Sequence, residues 1–353
     1  MINITLLSRY ISFFSIVFFL SSCGGGSGKS GASENPSGTD ESTGLPRDLN
    51  GLIVLDSWDY YGYGGSPQGI FAFELENGQL KMHKRLTSSD QGVSPYAQDR
   101  QTITYAQPCN GSRNFHLTKT INIKGVSSDT IISCSSKILT DYSYYAFGRY
   151  IVAKLSPNKN YIAVEIRTHD TVDTRIEKII IKVFNSQTKE ELGSFENYSS
   201  PEWLPGGRLL IATSKQNTKN GIYITNNSFT RLTRIDQGHI NQNATFLDFS
   251  PVNNKLIFTM SGNIWMMDIN QNNELVNLQE VANEGNTLET PSWSPDGKYI
   301  AYLSFSKTIA YRRITFLHLA SRTPYVFETA KIFPADTNDI DWMTPGSSLS
   351  WVK

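Results

Sequence analysis

The sequence lacks the features that mark most enzymes and nucleic-acid-binding proteins. Its 353 residues include 32 basic and 32 acidic side chains, so the formal net charge is zero, and no basic stripe stands out. Because nucleic-acid binding depends on concentrated positive charge, this composition argues against DNA or RNA as a partner. No long stretch repeats apolar residues at the helical period, and aromatic residues make up 12% of the chain. The composition therefore predicts an all-β protein of short strands and tight turns.

Motifs for covalent and metal chemistry are equally scarce. The sequence contains no G-x-S-x-G, H-E-x-x-H or C-x-x-C pattern, which are signatures of serine hydrolases, zinc hydrolases and thiol–disulfide exchange. Its five histidines include no two at ligand spacing. We therefore expect no metal and no cofactor, and the sequence favours binding or scaffolding over catalysis.

One phrase recurs along the chain and determines the fold prediction. Its clearest copy is WSPDGKYIAY (293–302), and weaker copies are VSPYAQDRQTITY (93–105), LSPNKNYIAV (155–164), WLPGGRLLIA (203–212), FSPVNNKLIF (249–258) and WMTPGSSLSW (342–351). Their prolines, at 95, 157, 205, 251, 295 and 345, are 44 to 62 residues apart, as in an array of propeller blades. In the clearest copy Pro, Asp and Gly are turn residues, and an apolar strand follows. The repeat therefore predicts a six-bladed β-propeller of four-stranded blades.

The two ends of the repeat region predict how the propeller closes. Residues 51–56, 69–73 and 84–87 read as a blade that lacks its innermost strand. Residues 339–342, with the proline that follows, read as an innermost strand alone. Pairing these N- and C-terminal strands completes one blade and leaves no open sheet edge at the seam.

The repeat resembles that of TolB-type propellers, whose blades run roughly W-S-P-D-G, an aliphatic strand, G-x-I-Y and an R-L-T ending. The segments GIYIT (221–225), TRLT (230–233) and WSPDG (293–297) carry the resemblance, which extends over residues 50–353. It implies the fold but names no partner. TolB-type proteins also carry an α/β domain ahead of the propeller, where we expect only a tether in this chain.

Residues 1–22 read as a signal peptide. Arg9 precedes an apolar run from Tyr10 to Leu20, which is too short to span a bilayer comfortably. The run ends in Leu-Ser-Ser-Cys, which resembles the lipobox of bacterial lipoproteins and implies that Cys23 becomes the lipidated first residue. Gly24 replaces the Asp of inner-membrane retention, so the resemblance implies an outer-membrane protein that faces the periplasm or the cell surface. The alternative is an ordinary secretory signal with an incidental cysteine.

Residues 24–48 are rich in glycine and serine and almost free of apolar side chains. Such a composition cannot contribute to a packed core. We therefore expect residues 23–49, which include the lipidated cysteine, to form a flexible tether to the membrane.

The long connections between predicted strands collect on one face of the propeller and carry the candidate binding residues. These are Trp58, Tyr60, Tyr61, Tyr63, Tyr142, Tyr144, Tyr145, Arg167, His169 and His239. Tyrosine and tryptophan give large contact areas at small entropic cost, as binding hot spots require. One interpretation is a surface that binds an envelope protein or peptide. The other is that several tyrosines cap gaps between blades.

A second set of candidates lies at the propeller axis. The residue before the main apolar position of successive innermost strands is Lys154, Glu202, Asp248, Ser292 and Asp341. Converging carboxylates bind cations or act as an acid–base pair on a glycosidic bond. Together with His169 and His239, they give the alternative function of a polysaccharide hydrolase or lyase with a glycan substrate. The other interpretation is that channel water solvates these carboxylates.

Two cysteines remain once Cys23 is assigned to lipidation. Cys109 and Cys134 follow strands that end at the same rim, and an oxidising envelope favours a disulfide between them. However, one strand separates the two, and two spacings of ~4.8 Å exceed the ~7 Å limit between bridged Cα atoms. A disulfide and two free thiols therefore both stay open.

Overall fold

The computed structural model describes residues 44–59, 67–87, 93–108, 116–125, 127–132, 151–169, 177–214, 219–305, 312–327 and 343–353. These residues form 24 β-strands, and no helix among them is long and apolar enough to cross a membrane. The strands assemble into six antiparallel sheets of four strands each. The all-β, six-bladed propeller predicted from the repeat is therefore confirmed.

We number the blades 1 to 6 and give the strands of each from the axis outwards. Blade 1 contains β24 (Met343–Val352), β1 (Gly51–Asp59), β2 (Pro67–Glu76) and β3 (Gln79–Arg85); blade 2 contains β4 (Val93–Ala97), β5 (Ile103–Pro108), β6 (His116–Ile121) and β7 (Ser127–Ile132); blade 3 contains β8 (Ile151–Leu155), β9 (Tyr161–His169), β10 (Glu177–Asn185) and β11 (Glu191–Glu196). Blade 4 contains β12 (Tyr198–Trp203), β13 (Leu209–Thr213), β14 (Ile222–Thr225) and β15 (Leu232–Arg234); blade 5 contains β16 (Ala244–Ser250), β17 (Lys255–Met260), β18 (Asn263–Ile269) and β19 (Leu275–Ala282); blade 6 contains β20 (Thr287–Trp293), β21 (Tyr299–Phe305), β22 (Arg312–His318) and β23 (Thr323–Phe327).

The six inner strands close into a ring. Each of them contacts the inner strands of both neighbouring blades. Blade 1 combines the two ends of the repeat region, because β24 pairs antiparallel with β1 from Leu52 opposite Val352 to Asp59 opposite Met343. The seam therefore has no open edge, as the sequence predicts.

Apolar side chains pack between neighbouring blades. Each of the six blade interfaces has its own cluster of buried residues. Trp203, Trp293 and Trp351 take equivalent positions in three inner strands, and each is at most 5% exposed. The indole N–H of Trp203 donates to Lys154 O at 2.9 Å, and that of Trp293 donates to Asp248 O at 3.2 Å. Trp203 thereby links blade 4 to blade 3, and Trp293 links blade 6 to blade 5.

The repeated phrase forms the turn between the first two strands of a blade. In blade 6 the Ser294 hydroxyl accepts the Tyr299 N–H at 2.9 Å and donates to Asp296 Oδ1 at 2.6 Å. Gly297 has a φ of +72°, in the left-handed region that favours glycine. The sequence signal is therefore strongest where the turn requires these residue types.

Blade 2 departs from the predicted alignment of the repeat. Pro95 lies within β4, whereas the prediction placed it in the turn that follows the inner strand. Asp99 occupies the turn instead, and its Oδ1 accepts the N–H groups of Gln101 at 2.7 Å and Thr102 at 2.6 Å. Asp99 thus accepts the hydrogen bonds of this turn in blade 2, as Ser294 and Asp296 do in blade 6.

The seam strand differs in the same way. The observed inner strand of blade 1 begins at Met343 and contains Pro345, whereas the sequence predicted an inner strand at 339–342. Trp351 pairs with Ile53, as Trp293 pairs with Ile300 in blade 6. Strand pairing therefore selects the second tryptophan of WMTPGSSLSW, and the prediction had aligned the first.

Candidate functional site

Six side chains occupy one register of the six inner strands, and we call them the inner ring. Each precedes the position taken by Trp203 in blade 4 and Trp293 in blade 6. They are Tyr96, Lys154, Glu202, Asp248, Ser292 and Ser350. The sequence placed four residues of blades 3 to 6 at the propeller axis, and all four lie in this register: Lys154, Glu202, Asp248 and Ser292. Asp341 lies outside the described residues, and β24 contributes Ser350 here.

Lys154 and Glu202 form a buried ion pair in the inner ring. Lys154 Nζ lies 2.5 Å from Glu202 Oε2, and the two side chains are 13% and 5% exposed. The same ammonium group donates to Leu247 O at 3.3 Å and lies 4.5 Å from the centre of the Tyr96 ring. Burial raises the pKa of Glu202, although the charge and hydrogen bond of Lys154 oppose this. Lys154 is therefore fully engaged within the ring.

Asp248 is the second carboxylate of the inner ring and forms no ion pair among the described residues. Its Oδ2 accepts the N–H of Trp293 at 2.7 Å. Burial and the negative charge of Glu202 raise the pKa of Asp248 to about 7, while Lys154 and the hydrogen bond with Ser292 act in the opposite direction. Asp248 therefore changes its charge near neutral pH.

Sequence reasoning missed Tyr96 because it assigned Pro95 to a turn. Burial raises the pKa of Tyr96 well above its usual value, and the charges of Glu202 and Asp248 raise it further. The phenol therefore stays protonated and presents its ring to the Lys154 ammonium, a cation–π contact. The sequence signal for Tyr96 was the apolar strand that begins at Ile103. Ala97 pairs with Ile103, and Tyr96 pairs with Thr104, so the position of this strand determines the register of Tyr96.

Two cavities meet at the inner ring, one towards each face of the propeller. The loop face carries the connections between the second and third strands of a blade and those between blades; the turn face carries the rest. The loop-side cavity has a volume of about 80 Å³ and is lined by Lys154, while the turn-side cavity measures about 430 Å³ and is lined by Glu202. Tyr96, Asp248 and Ser350 line both. The inner ring thus divides the axis in two.

Arg167, a predicted binding residue, lines the loop-side cavity and is held there by Glu165. Arg167 Nε lies 2.6 Å from Glu165 Oε1, and Glu165 is 1% exposed. The other carboxylate oxygen of Glu165 accepts the N–H of Ser200 at 2.6 Å, where β12 bulges away from β13. Glu165 therefore satisfies a buried amide of the next blade and orients Arg167 at the same time.

The remaining predicted residues fall in three groups. His239 is exposed in the connection between β15 and β16. Trp58 and His169 lie within β1 and at the end of β9, in strands and not in connections. The rest lie outside the described residues: Tyr60, Tyr61, Tyr63, Tyr142, Tyr144, Tyr145, Cys23, Cys109 and Cys134. The aromatic surface, the lipidation and the disulfide therefore stay predictions.

Comparison with known proteins finds similar structures but no matching sequence family. No protein-family model matches the chain, and no curated protein matches it in sequence. The structure is similar to TolB from Acinetobacter baumannii, with a TM-score of 0.59 and 14% identity over 88% of this chain and 69% of that one. It is also similar to Kuenenia stuttgartiensis hydrazine synthase, with a TM-score of 0.56 and 11% identity over 86% of this chain and 46% of that one. An oligogalacturonate lyase in complex with manganese gives a TM-score of 0.49 and 9% identity over 81% and 82% of the two chains.

The likenesses to TolB and to hydrazine synthase concern the propeller fold alone, because neither reaches 25% identity. The chain spans less than half of the hydrazine synthase chain that it matches. The likeness to TolB agrees with the resemblance in the repeats at 221–225, 230–233 and 293–297. The chemistry of the site must therefore be argued from its own residues.

Proposed function

We propose that this chain is a lipid-anchored propeller of the bacterial cell envelope that binds a partner protein or peptide through its loop face. The difference between the two faces carries the proposal. Connections on the turn face are short, such as 77–78, 156–160 and 294–298, whereas the loop face includes, among the described residues, the nine-residue connection 235–243. Binding residues concentrate in long loops that a rigid scaffold positions.

The composition of these connections supports binding over a purely structural role. The sequence between β7 and β8 contains Tyr142, Tyr144 and Tyr145, and the sequence from 58 to 63 holds one tryptophan and three tyrosines. Side chains of this type supply most of the free energy at protein–protein interfaces. Arg167, oriented by Glu165 beside the axis, adds a charged group of the kind that interfaces favour.

The anchor in this proposal is the N-terminal segment. Leu-Ser-Ser-Cys at 20–23 resembles a lipobox, and the Gly/Ser-rich sequence after it suits a tether. The end of the predicted tether does not fit that role, because Leu45 and Leu49 are fully buried in the cluster between blades 6 and 1. Each methylene buried in the membrane contributes ~0.8 kcal/mol to binding, and stable anchoring needs more than one acyl chain. A bacterial lipoprotein carries more than one such chain. The outer membrane, with the propeller in the periplasm or on the surface, is the proposed location.

Site-specific photo-crosslinking in cells tests the loop face. A photoreactive amino acid replaces Tyr61 or Tyr144 on the loop face, or Gln271 as a matched turn-face control, in the full-length chain. We expect the first two positions to capture the same envelope protein and Gln271 to capture none of it. Equal capture from all three positions, or none from Tyr61 and Tyr144, contradicts the proposal.

A second candidate function, glycan cleavage, is favoured by one observation. Asp248 has a pKa of about 7 and lies beside another carboxylate, Glu202, in a cavity, as a general acid requires. The test is turnover of a panel of acidic and neutral oligosaccharides by the full-length protein and by Asp248→Asn. Turnover that disappears in the variant supports catalysis; a panel without turnover leaves binding as the function.

A further inference from the structure

The chain enters the propeller at a fixed point on the turn face. Residues 45–50 precede β1 and lie between blades 6 and 1, where Leu45 and Leu49 are fully buried. The N–H of Gly78, in the turn between β2 and β3, donates to Leu49 O at 2.9 Å. A Cβ on Gly78 would lie 2.4 Å from Pro46 O, so this close approach requires glycine. These contacts hold the entering chain against the turn of blade 1.

Blade 6 holds the same residues from the other side. Asp48 Oδ1 accepts the Tyr299 hydroxyl at 2.6 Å, and Asp48 Oδ2 lies 3.8 Å from Nζ of Lys298, in the turn between β20 and β21. Gly44 is exposed, and a Cβ there would meet nothing within 4 Å. The chain therefore passes from solvent into the fold between the turns of blades 6 and 1, on the turn face.

The exposed charge of the turn face is positive. Its turns, together with residues 44–50 and 353, hold ten basic and five acidic side chains in the part of the chain that the structure describes. Eight of the basic side chains are exposed, whereas only two of the acidic ones are, Glu190 and Asp296. The exposed cations belong to every blade except blade 5. The turn face thus presents positive charge over most of its circumference.

The described connections of the loop face show no such excess. They contain one basic residue, Lys219, and two acidic residues, Asp236 and Glu284. A negatively charged surface attracts lysine and arginine side chains that come within a Debye length of it, ~8 Å at physiological salt. Such a surface therefore favours the turn face over the loop face.

The length of the proposed tether agrees with this preference. Residues 23–43 lie between the predicted lipidation site and the entry point, and a Gly/Ser-rich sequence of that length spans ~25 Å on average. A domain the size of residues 44–353 is about 50 Å across. Because the chain enters on the turn face, a tether of this reach brings that face to the membrane more readily than the opposite one.

We propose that the turn face lies against anionic lipid headgroups of the membrane that holds the tether, so that the loop face points away from the bilayer. The inference rests on the lipid anchor of the proposed function, and it adds the surface by which the propeller meets the membrane. The cations would also attract an acidic protein, but the tether delivers a lipid surface to this face. A partner of the loop face then approaches from the side opposite the membrane.

Photo-crosslinking to lipid tests the orientation. The full-length lipoprotein is reconstituted in vesicles of phosphatidylethanolamine and phosphatidylglycerol at about three to one. A photoreactive amino acid replaces Thr188 or Gln271 on the turn face, or His239 on the loop face, and all three positions are exposed. Mass spectrometry then quantifies phospholipid adducts at each position. We expect about fivefold more adducts at Thr188 and Gln271 than at His239, the ratio that one favourable cation contributes.

Two exposed residues of blade 4 separate attraction by charge from proximity through the tether. Arg231 lies in a turn of the turn face, and Lys219 lies in a connection of the loop face. We expect Arg231→Glu to lower the adducts at Thr188 about threefold or more, and Lys219→Glu, the matched control, to leave them unchanged. Lys124→Glu, in blade 2, repeats the test at a second turn. For the natural chain, vesicles of phosphatidylcholine alone should give the same loss as Arg231→Glu.

Several results overturn the inference. These are the absence of adducts at Thr188 and Gln271, equal or greater adducts at His239, and adducts that depend neither on phosphatidylglycerol nor on the turn-face cations. Capture of an acidic protein by Thr188 or Gln271 in cells, in place of lipid, also overturns it. Flotation with the vesicles is measured in parallel and reports the anchor. A chain that floats without turn-face adducts keeps the proposed function and loses only this orientation, whereas a chain that does not float loses the anchor and the inference together.

Discussion

Lys154 makes the burial of Glu202 tolerable. Glu202 is 3% exposed, and the ammonium group of Lys154 is its cationic partner within the described residues. Removing one member of a buried pair leaves an uncompensated charge, which costs more than the pair itself contributes. The pair therefore behaves as a unit.

We expect Lys154→Met to lower the free energy of unfolding by about 3–5 kcal/mol at pH 7. Urea unfolding followed by tryptophan fluorescence measures the change. Lys81→Met is the matched control, because that ammonium group is exposed and 4.0 Å from Glu76, and its loss changes stability by about 0.5 kcal/mol or less. The double variant Lys154→Met/Glu202→Leu recovers most of the loss; failure to recover contradicts the pairing.

Asp248 makes stability depend on pH with a sign opposite to that of most carboxylates. Its pKa is raised to about 7 in the folded protein, so the folded state holds a proton between about pH 4 and 7 that the unfolded chain has released. Its contribution is complete below the unfolded pKa and is lost as the pH rises to 7, by up to ~1.4 kcal/mol per unit. The stability of Asp248→Asn relative to the natural chain should therefore rise over this range and level off above pH 7. A relative stability independent of pH would falsify the assignment.

The sequence aligned four residues of the inner ring, in blades 3 to 6, but it missed Tyr96 and Ser350, and the pairing within the ring was not predictable. The repeat aligns Glu202, Asp248 and Ser292 because their blades keep the same turn phrase. That Lys154 bonds to Glu202 and not to Asp248 depends on the angle between blades, which no local pattern encodes.

At the level of elements, the turn phrase explains why some strands were predicted well. Gly297 has a positive φ, and a Cβ there would lie 2.5 Å from Asn253 Nδ2, which itself donates to Gly297 O at 2.6 Å. Where such constraints exist, the turn fixes both flanking strands. Blade 2 and β24 lack the phrase in the aligned position, so their registers follow from strand pairing and could not be read locally.

Gly297→Ala should lower the free energy of unfolding by about 1–2 kcal/mol, because the alanine is strained at this φ and displaces the Asn253 side chain. Gly206 in the equivalent turn of blade 4 is the control, since a Cβ there meets nothing within 4 Å. Gly206→Ala should leave stability unchanged or raise it slightly, by up to ~1 kcal/mol. Equal losses in chemical denaturation of the two variants contradict the turn argument.

For the molecule as a whole, one strand closes the ring. β24 pairs with β1 and contacts both neighbouring inner strands, and its Leu349 and Trp351 are 7% and 5% exposed in the cluster between blades 6 and 1. Propellers depend on closure because an open ring exposes sheet edges and two unfinished interfaces. The repeat predicted closure correctly, although not the residues that perform it.

A chain that ends before Met343 should lose its cooperative thermal transition and become sensitive to protease. Removal of Lys353 alone is the control and should leave the transition within a few degrees of its original midpoint. Circular dichroism during heating, together with limited proteolysis, measures both. A single sharp transition in the shorter chain contradicts the role of β24.

Anchoring is also a property of the whole molecule. We expect Cys23→Ala to abolish incorporation of a labelled fatty acid and to release the chain from the membrane fraction. Cys109→Ala is the matched control and should retain both label and membrane association. Label in the Cys23 variant, or membrane association without any label in the natural chain, argues against lipidation at this residue.

The seam between β24 and β1 also sets the order of events during biogenesis. Blade 1 stays incomplete until residues 343–352 have been made, so the ring cannot close while the chain is still emerging. Domains generally fold as units once their contacts are available. The propeller therefore reaches its final fold only after residues 343–352 have paired with β1, and until then the ring remains open at blade 1.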